Sequence, residues 1–367
     1  MRTNLICWSN EAHLSQVYAG LTLLHRQGVI SLEQQIVAAR PPNLHPSCLP
    51  HLRRVENWHC RIETGGVSYY VDVHDDSYIS QDALQGCDVY LKRGYVRTKN
   101  ISHKVRPLGL NYHVCADGID QFELARRFKL FGPQAAAKYV VKRPMSVSDL
   151  ESTPAESEPG VLFLCRTWEP SPERSKDKND DIVRINESRA DCIVALRKEF
   201  GPLCVAGFSR TPYAVTHFPH AIVNDSRATD RKAYLRLVRD IPICVASIGL
   251  HQSNGWKLGE YVACSRAIVS EQLHHEVPDF QNGRNYLGFT QTAECVEAVG
   301  VLMESKSARA QMAEANHHHY LSRLRPDRMM STALALVDMP AAGNTVRSPG
   351  LLSATKVGAT RDLAERG

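Results

Sequence analysis

The residues of this chain that could do chemistry gather in two places. The first is the stretch over 249–286, which opens G-L-H-Q-S-N-G-W-K-L-G-E. The apolar, β-branched run I-P-I-C-V-A-S-I over 241–248 predicts a buried parallel strand just before it. A helix is predicted over 256–266 and a second short strand over 267–270, closed by Glu271. Ligands of such strand-loop-helix-strand units sit at the carboxyl ends of strands and the N-termini of helices. His251, Gln252, Ser253, Gly255 and Lys257 are therefore candidate contacts for an anionic ligand, with backbone N–H groups of the Gly255 turn assisting. Glu260 is the carboxylate near the helix start. The plain structural alternative is a polar loop, an exposed helix lysine and a glutamate that offsets the helix dipole.

The second place is the end of a strand predicted over 67–73, where Asp72, His74, Asp75 and Asp76 cluster. A carboxylate or imidazole there could take a proton from a hydroxyl, and Asp75 is the candidate catalytic base. A helix cap by Asp75 or Asp76 is the competing reading. The D-x-H-D-D spacing also suits a metal, yet nothing nearby completes a coordination shell, and no metal is expected. Lys92 and Arg93 follow the next strand, and Glu11 and His13 follow the first; all four are candidates to face a cleft. Arg166 ends a strand over 161–165 and is the second catalytic candidate, because an anionic leaving group needs a nearby cation where no metal supplies one. Lys176 and Lys178 lie in E-R-S-K-D-K-N-D-D, a solvated face or a loop able to close on phosphates. His317, His318 and His319 fall in a helical pattern, where neighbours point in different directions, so exposed helix histidines are expected rather than a metal tract.

These groups need elements to hold them. The chain has 367 residues, enough for two domains, with 43% hydrophobic and 23% charged residues. A formal charge of +5 suits a small anionic ligand and falls short of a dedicated nucleic-acid binder. Eleven cysteines without a C-x-x-C pair read as buried apolar residues of a reducing compartment, so a cytoplasmic location is expected. There is no secretory signal and no run long enough to span a bilayer; peripheral membrane association stays open.

Strands are predicted over 4–8, 67–73, 87–91 and 107–112, several of them parallel, and helices over 12–26, 77–85 and 122–131. Prolines at 41, 42, 46 and 50 mark a loop. The acidic, Pro/Ser-rich sequence near 146–160 reads as a linker. Strands over 161–165 and 203–207 follow, with helices over 182–200, 229–239, 292–304 and 307–324 and a further one near 329–336. The expected organisation is an α/β chain with two Rossmann-like domains facing a cleft: 1–132, a linker over 133–160, 161–335, and a flexible tail over 336–367.

The second half resembles GT-B glycosyltransferases of the bacterial group 1 type, which build surface polysaccharides. The resemblance is carried by G-W-K-L-G-E-Y-V-A-C-S-R-A-I-V-S-E over 255–271 and by G-R-N-Y-L-G-F over 283–289. It extends through the helices over 294–312 and the segment 316–327 with Leu324-Arg325-Pro326-Asp327. Many retaining members carry Glu, seven residues, then Glu; here Glu260 fills the second position and Gln252 the first. An amide can bond a sugar hydroxyl without the carboxylate's charge. The resemblance implies that Glu260 accepts the ribose hydroxyls of a nucleotide-sugar and that Arg166 and Lys257 meet its diphosphate. It implies a transferase that moves the sugar to a hydroxyl of a glycan or lipid-linked acceptor, with a nucleotide-sugar as co-substrate and no further cofactor. A nucleotide-sugar epimerase and a non-catalytic nucleotide-sugar-binding protein are the alternatives. No nucleic-acid partner is expected.

Overall fold

The computed structural model describes residues 1–38, 58–99, 102–154 and 158–335. The proline-rich loop, the middle of the acidic linker segment and the tail expected over 336–367 lie outside the described residues. β1 (Arg2–Cys7) buries alternate side chains and leads through one 3-10 turn into α1 (Ser15–Arg26). β2 (Ser31–Ile36) returns parallel to β1. β3 (His59–Thr64) and β4 (Val67–Asp72) form an antiparallel hairpin, followed by α2 (Gln81–Gln85), β5 (Val89–Lys92) and β6 (Val105–Pro107). The sheet order is β2-β1-β3-β4-β5-β6.

Several pairs of this sheet are parallel, as expected, but it also holds a strand the sequence reading did not include: β3, which runs antiparallel to both its neighbours. Its signal was the alternating H-C-R-I-E-T before Gly65-Gly66. Those glycines take φ of +59° and +81°, the conformation that a two-residue hairpin turn requires. β2 escaped notice because S-L-E-Q-Q-I is an edge strand with one fully buried residue, Leu32. The strand expected over 107–112 forms earlier, as β6. Residues after it bury Leu110, Tyr112 and Val114 without joining the sheet.

The segment expected to be a linker is largely folded. α3 (Gln121–Phe131) and α4 (Pro133–Val141) are joined through Gly132, and α5 (Val147–Leu150) starts with a capping box of Ser146 and Asp149. Val147 and Leu150 are fully buried. The Ser152 N–H donates to the Ala263 carbonyl at 3.1 Å, fixing this segment to the second half.

The second sheet starts at β7 (Val161–Cys165), buried throughout, followed by α6 (Lys176–Phe200), β8 (Cys204–Phe208), α7 (Pro212–His217) and α8 (Arg231–Asp240). β9 (Ile243–Ala246), α9 (Trp256–Ala263), β10 (Ala267–Glu271) and β11 (Leu287–Phe289) complete it. All its pairs are parallel, in the order β11-β10-β9-β7-β8. Strand order reverses between β7 and β9, which opens a crevice there. α10 (Thr292–Glu304), α11 (Lys306–His319) and α12 (Pro326–Ala335) follow. α12 returns to the first half: Gln27 Nε2 donates to Asp327 at 2.9 Å and the Tyr69 hydroxyl to the Leu334 carbonyl at 2.9 Å. The architecture is α/β, with two Rossmann-like sheets whose carboxyl edges line one cleft.

Candidate active site

A cavity of about 720 Å³ lies where the two carboxyl edges meet. From the second half it takes the ends of β7 and β9, the Gly249–Gly255 loop, and the first turns of α8 and α9. From the first half it takes His13, Asp75, Arg93 and His113. Five cationic side chains line it (Arg93, Arg166, Arg189, Arg231 and Lys257) against two carboxylates, Asp75 and Glu260. The balance favours an anionic guest.

Glu260 is buried in the first turns of α9, and its Oε1 accepts from Arg231 Nη1 at 2.7 Å. Lys257, one turn earlier, places Nζ 3.7 Å from the centre of the Tyr234 ring. Burial pushes the Lys257 ammonium down to about 8, with Glu260 acting in the opposite direction. Arg166 follows β7 with its side chain exposed at the cavity. Its backbone carbonyl accepts from Arg189 Nη1 at 2.8 Å. Arg189, buried on α6, also donates to Ser247 Oγ at 2.8 Å and to the Ile248 carbonyl at 2.9 Å. One guanidinium thus ties the ends of β7 and β9 together under the cavity. Glu271 at the end of β10 accepts from the Ile248 N–H at 2.7 Å and steadies the same loop.

On the first half, one oxygen of Asp75 accepts from Arg93, whose other nitrogen donates to the Asn254 carbonyl at 2.6 Å across the cleft. Arg93 is therefore a strut between the halves. Asp75 would have to loosen that ion pair to take a proton. Asp72 and His74 lie beneath the surface and do not line the cavity. Asp72 accepts from Tyr90 at 2.6 Å, Lys92 at 3.0 Å and His74 Nδ1 at 2.8 Å. Burial alone would raise the Asp72 carboxyl, but Lys92, His74 and Tyr90 outweigh it and hold it well below the usual carboxylate range. Lys92, expected to face the cleft, is fully buried between Asp72 and Asp76. Glu11 is also outside the cavity lining, whereas His13 is part of it.

His13 belongs to a column of rings. It stacks on Trp58 with centroids 3.7 Å apart and leans on Trp256 at 4.6 Å, and His113 meets Trp256 at 5.8 Å. Burial, then Arg93, pushes His13 down to about 3; burial, then Arg231, lowers His113. The column offers neutral, flat surfaces to a guest.

Of the donor-site residues predicted from sequence, Glu260, Lys257, Ser253 and Gly255 line this cavity with Arg166. His251 and Gln252 do not. Both take φ of +59° with exposed side chains, a conformation that costs roughly 1–3 kcal/mol per residue. His251 instead lines a separate surface depression with Lys178 and other residues of α6. Among the histidines of α11, exposure was expected, yet His319 is buried and His317 Nδ1 lies 3.0 Å from Ser265 Oγ.

Arg231 and Arg189 escaped the sequence reading, although both left a trace. Arg231 is a cation in the first turn of a helix, where the dipole disfavours it. Arg189 interrupts the apolar stripe of Ile182, Ile185, Ile193 and Leu196. Trp256 and His113 carried no signal apart from their place in the fold.

No protein-family model matches the chain, and no curated protein is similar to it in sequence. Solved structures that resemble it include glycosyltransferases, each of them remote. The C-terminal domain of the group 1 family protein LpcC from Francisella tularensis is 12% identical, covers 49% of this chain and 98% of its own, at a TM-score of 0.34. HepE from Anabaena in complex with UDP is 11% identical, covering 69% of this chain and 64% of its own, at 0.38. Sucrose-phosphate synthase from Thermosynechococcus elongatus is 9% identical, covering 87% and 91%, at 0.39. These likenesses assign no role to any residue here. Among the described residues no helix is long and apolar enough to cross a membrane.

Proposed function

We propose that this chain is a glycosyltransferase that moves a sugar from a nucleotide-sugar to an acceptor hydroxyl, in the assembly of a polysaccharide or glycoconjugate. The observation that carries the reading is the cavity itself: a cationic crevice at the strand-order reversal of one Rossmann-like sheet, closed by the carboxyl edge of another. Glu260 would accept the ribose hydroxyls, oriented for that task by Arg231. Arg166 and Lys257 would meet the diphosphate and stabilise the charge that develops on it as the glycosidic bond breaks. Ser253 and the backbone of the Gly255 turn would complete the phosphate contacts.

The acceptor would enter from the first half, over His13, His113 and Trp256, where flat rings suit the apolar face of a sugar. Asp75 would accept the acceptor's proton only after exchanging its bond with Arg93 for one to the hydroxyl. A cleft with groups from both halves keeps water from the bond being broken. The test is to supply nucleotide-sugars with and without glycan and lipid-linked acceptors and to follow nucleotide diphosphate release and the fate of the sugar. The reading expects release that depends on acceptor. Conversion of the sugar without acceptor would instead indicate an epimerase, and binding without turnover a non-catalytic binding protein.

A further inference from the structure

Another cavity, of about 130 Å³, lies where three parts of the fold meet. The first half contributes Leu108 and Leu110 after β6, the second half Val277 and Pro278, and α12 Met329 and Ala333. None of these residues lines the cavity over Glu260, and all but Pro278 are buried. The walls are held by bonds of their own. Gln16 Nε2 donates to the Leu324 carbonyl at 2.9 Å, and Arg325 Nη1 to Asp327 at 2.7 Å. Protein interiors keep few voids larger than a water molecule, so an apolar space of this size stands out from ordinary packing. It is close to the size of one six-membered ring: in another protein an apolar cavity of about 150 Å³ stays dry and binds benzene.

The charged groups of the lining narrow the guest further. Arg106 and Arg323 both line the cavity. Arg323 pairs with Asp279 at 2.6 Å. Arg106 is half-buried and makes no hydrogen bond or ion pair among the described residues. His319 also lines the space and is neutral near pH 7, because burial, opposed by Asp279, pushes it down to about 4. One cation is thus left unanswered beside an apolar space. A planar carboxylate is the group that a guanidinium binds through two parallel hydrogen bonds. We propose that this cavity is a binding site for a small aromatic carboxylate, its ring among the apolar side chains and its carboxylate on Arg106. The walls come from both halves and from α12, so the occupant binds this arrangement of the halves and stabilises it.

The full chain should be titrated with benzoate by calorimetry and thermal denaturation, without nucleotide. Acetate keeps the charge without the ring, and benzyl alcohol the ring without the charge. Benzoate is expected to bind and to raise the Tm with concentration, and each control to bind at least about tenfold more weakly. Arg106→Gln should weaken benzoate at least about tenfold and leave benzyl alcohol unchanged. Ala333→Leu fills the space and should abolish binding of both. The first variant changes only a half-buried strand residue, so the proposal stays testable if the second perturbs folding. Absence of benzoate binding, or equal affinity in wild type and Arg106→Gln, overturns it. So does displacement of benzoate by inorganic diphosphate, which would put the carboxylate in the cavity over Glu260. Because the titration contains no nucleotide, its failure leaves the donor-site reading untouched.

Discussion

Glu260 and Lys257 lie one turn apart on α9, and both meet residues of α8: Arg231 for the carboxylate, the Tyr234 ring for the ammonium. Burial leaves the Lys257 ammonium near 8 in the free protein. If it pairs with a diphosphate, affinity for a nucleotide diphosphate should decline as pH rises through about 8, because the proton that makes Lys257 a cation is lost there. Lys257→Arg should remove that decline, since a guanidinium stays charged, and calorimetric titration at several pH values checks it. The sequence displayed Glu260, Lys257 and Arg166 because each stands beside a glycine, a turn or a strand end. It hid the partner of Glu260, since Arg231 is 29 positions away and becomes a neighbour only when β9 and α9 pack beside α8.

At the scale of elements, α6 and α9 set the geometry of the cavity. Arg189 satisfies two strand-end carbonyls and Ser247 at once. Arg189→Ala should cost about 1–3 kcal/mol of stability, because two part-buried carbonyls and Ser247 lose their donor; equilibrium denaturation with urea measures it. Gly259 presses α9 against the first half: a Cβ there would lie 3.1 Å from the Asn111 carbonyl oxygen and 3.2 Å from Tyr112 Cβ. Gly259→Ala should destabilise by about 1–3 kcal/mol through overpacking and weaken nucleotide binding by shifting Glu260. The strand-loop-helix unit around this glycine was legible from its apolar run and turn residues. The loop's interior was not: positive φ at His251 and Gln252 turns their side chains out of the cavity, and nothing in H-Q announces that conformation. Polar edge strand β2 was lost for the opposite reason, since alternation weakens where only one residue is fully buried.

For the molecule as a whole, two cores joined through a shared cluster place ionisable groups out of water. Burial pushes His275 and His319 each down to about 4. An unfolded histidine binds its proton near 6.5 and these two do not, so stability should fall as pH drops from about 6.5 towards 4, by up to about 1.4 kcal/mol per pH unit for each. Thermal melts across that range check the slope, and His319→Gln should reduce it. That there are two α/β halves was readable from strand-helix alternation. Their close union was not, because it depends on residues with no local signature: Arg93 reaching the Asn254 carbonyl, and α12 returning to α1.

On the proposed function, the cavity over Glu260 holds a nucleotide diphosphate. Its most direct test is thermal denaturation of wild type and Glu260→Ala with a panel of nucleoside diphosphates and nucleotide-sugars. A ligand at a hundred times its Kd adds about 2.7 kcal/mol to the folded state. At least one nucleotide should raise the wild-type Tm in a concentration-dependent way and leave Glu260→Ala nearly unmoved. Absence of any shift in the wild type, or an equal shift in the variant, would contradict it.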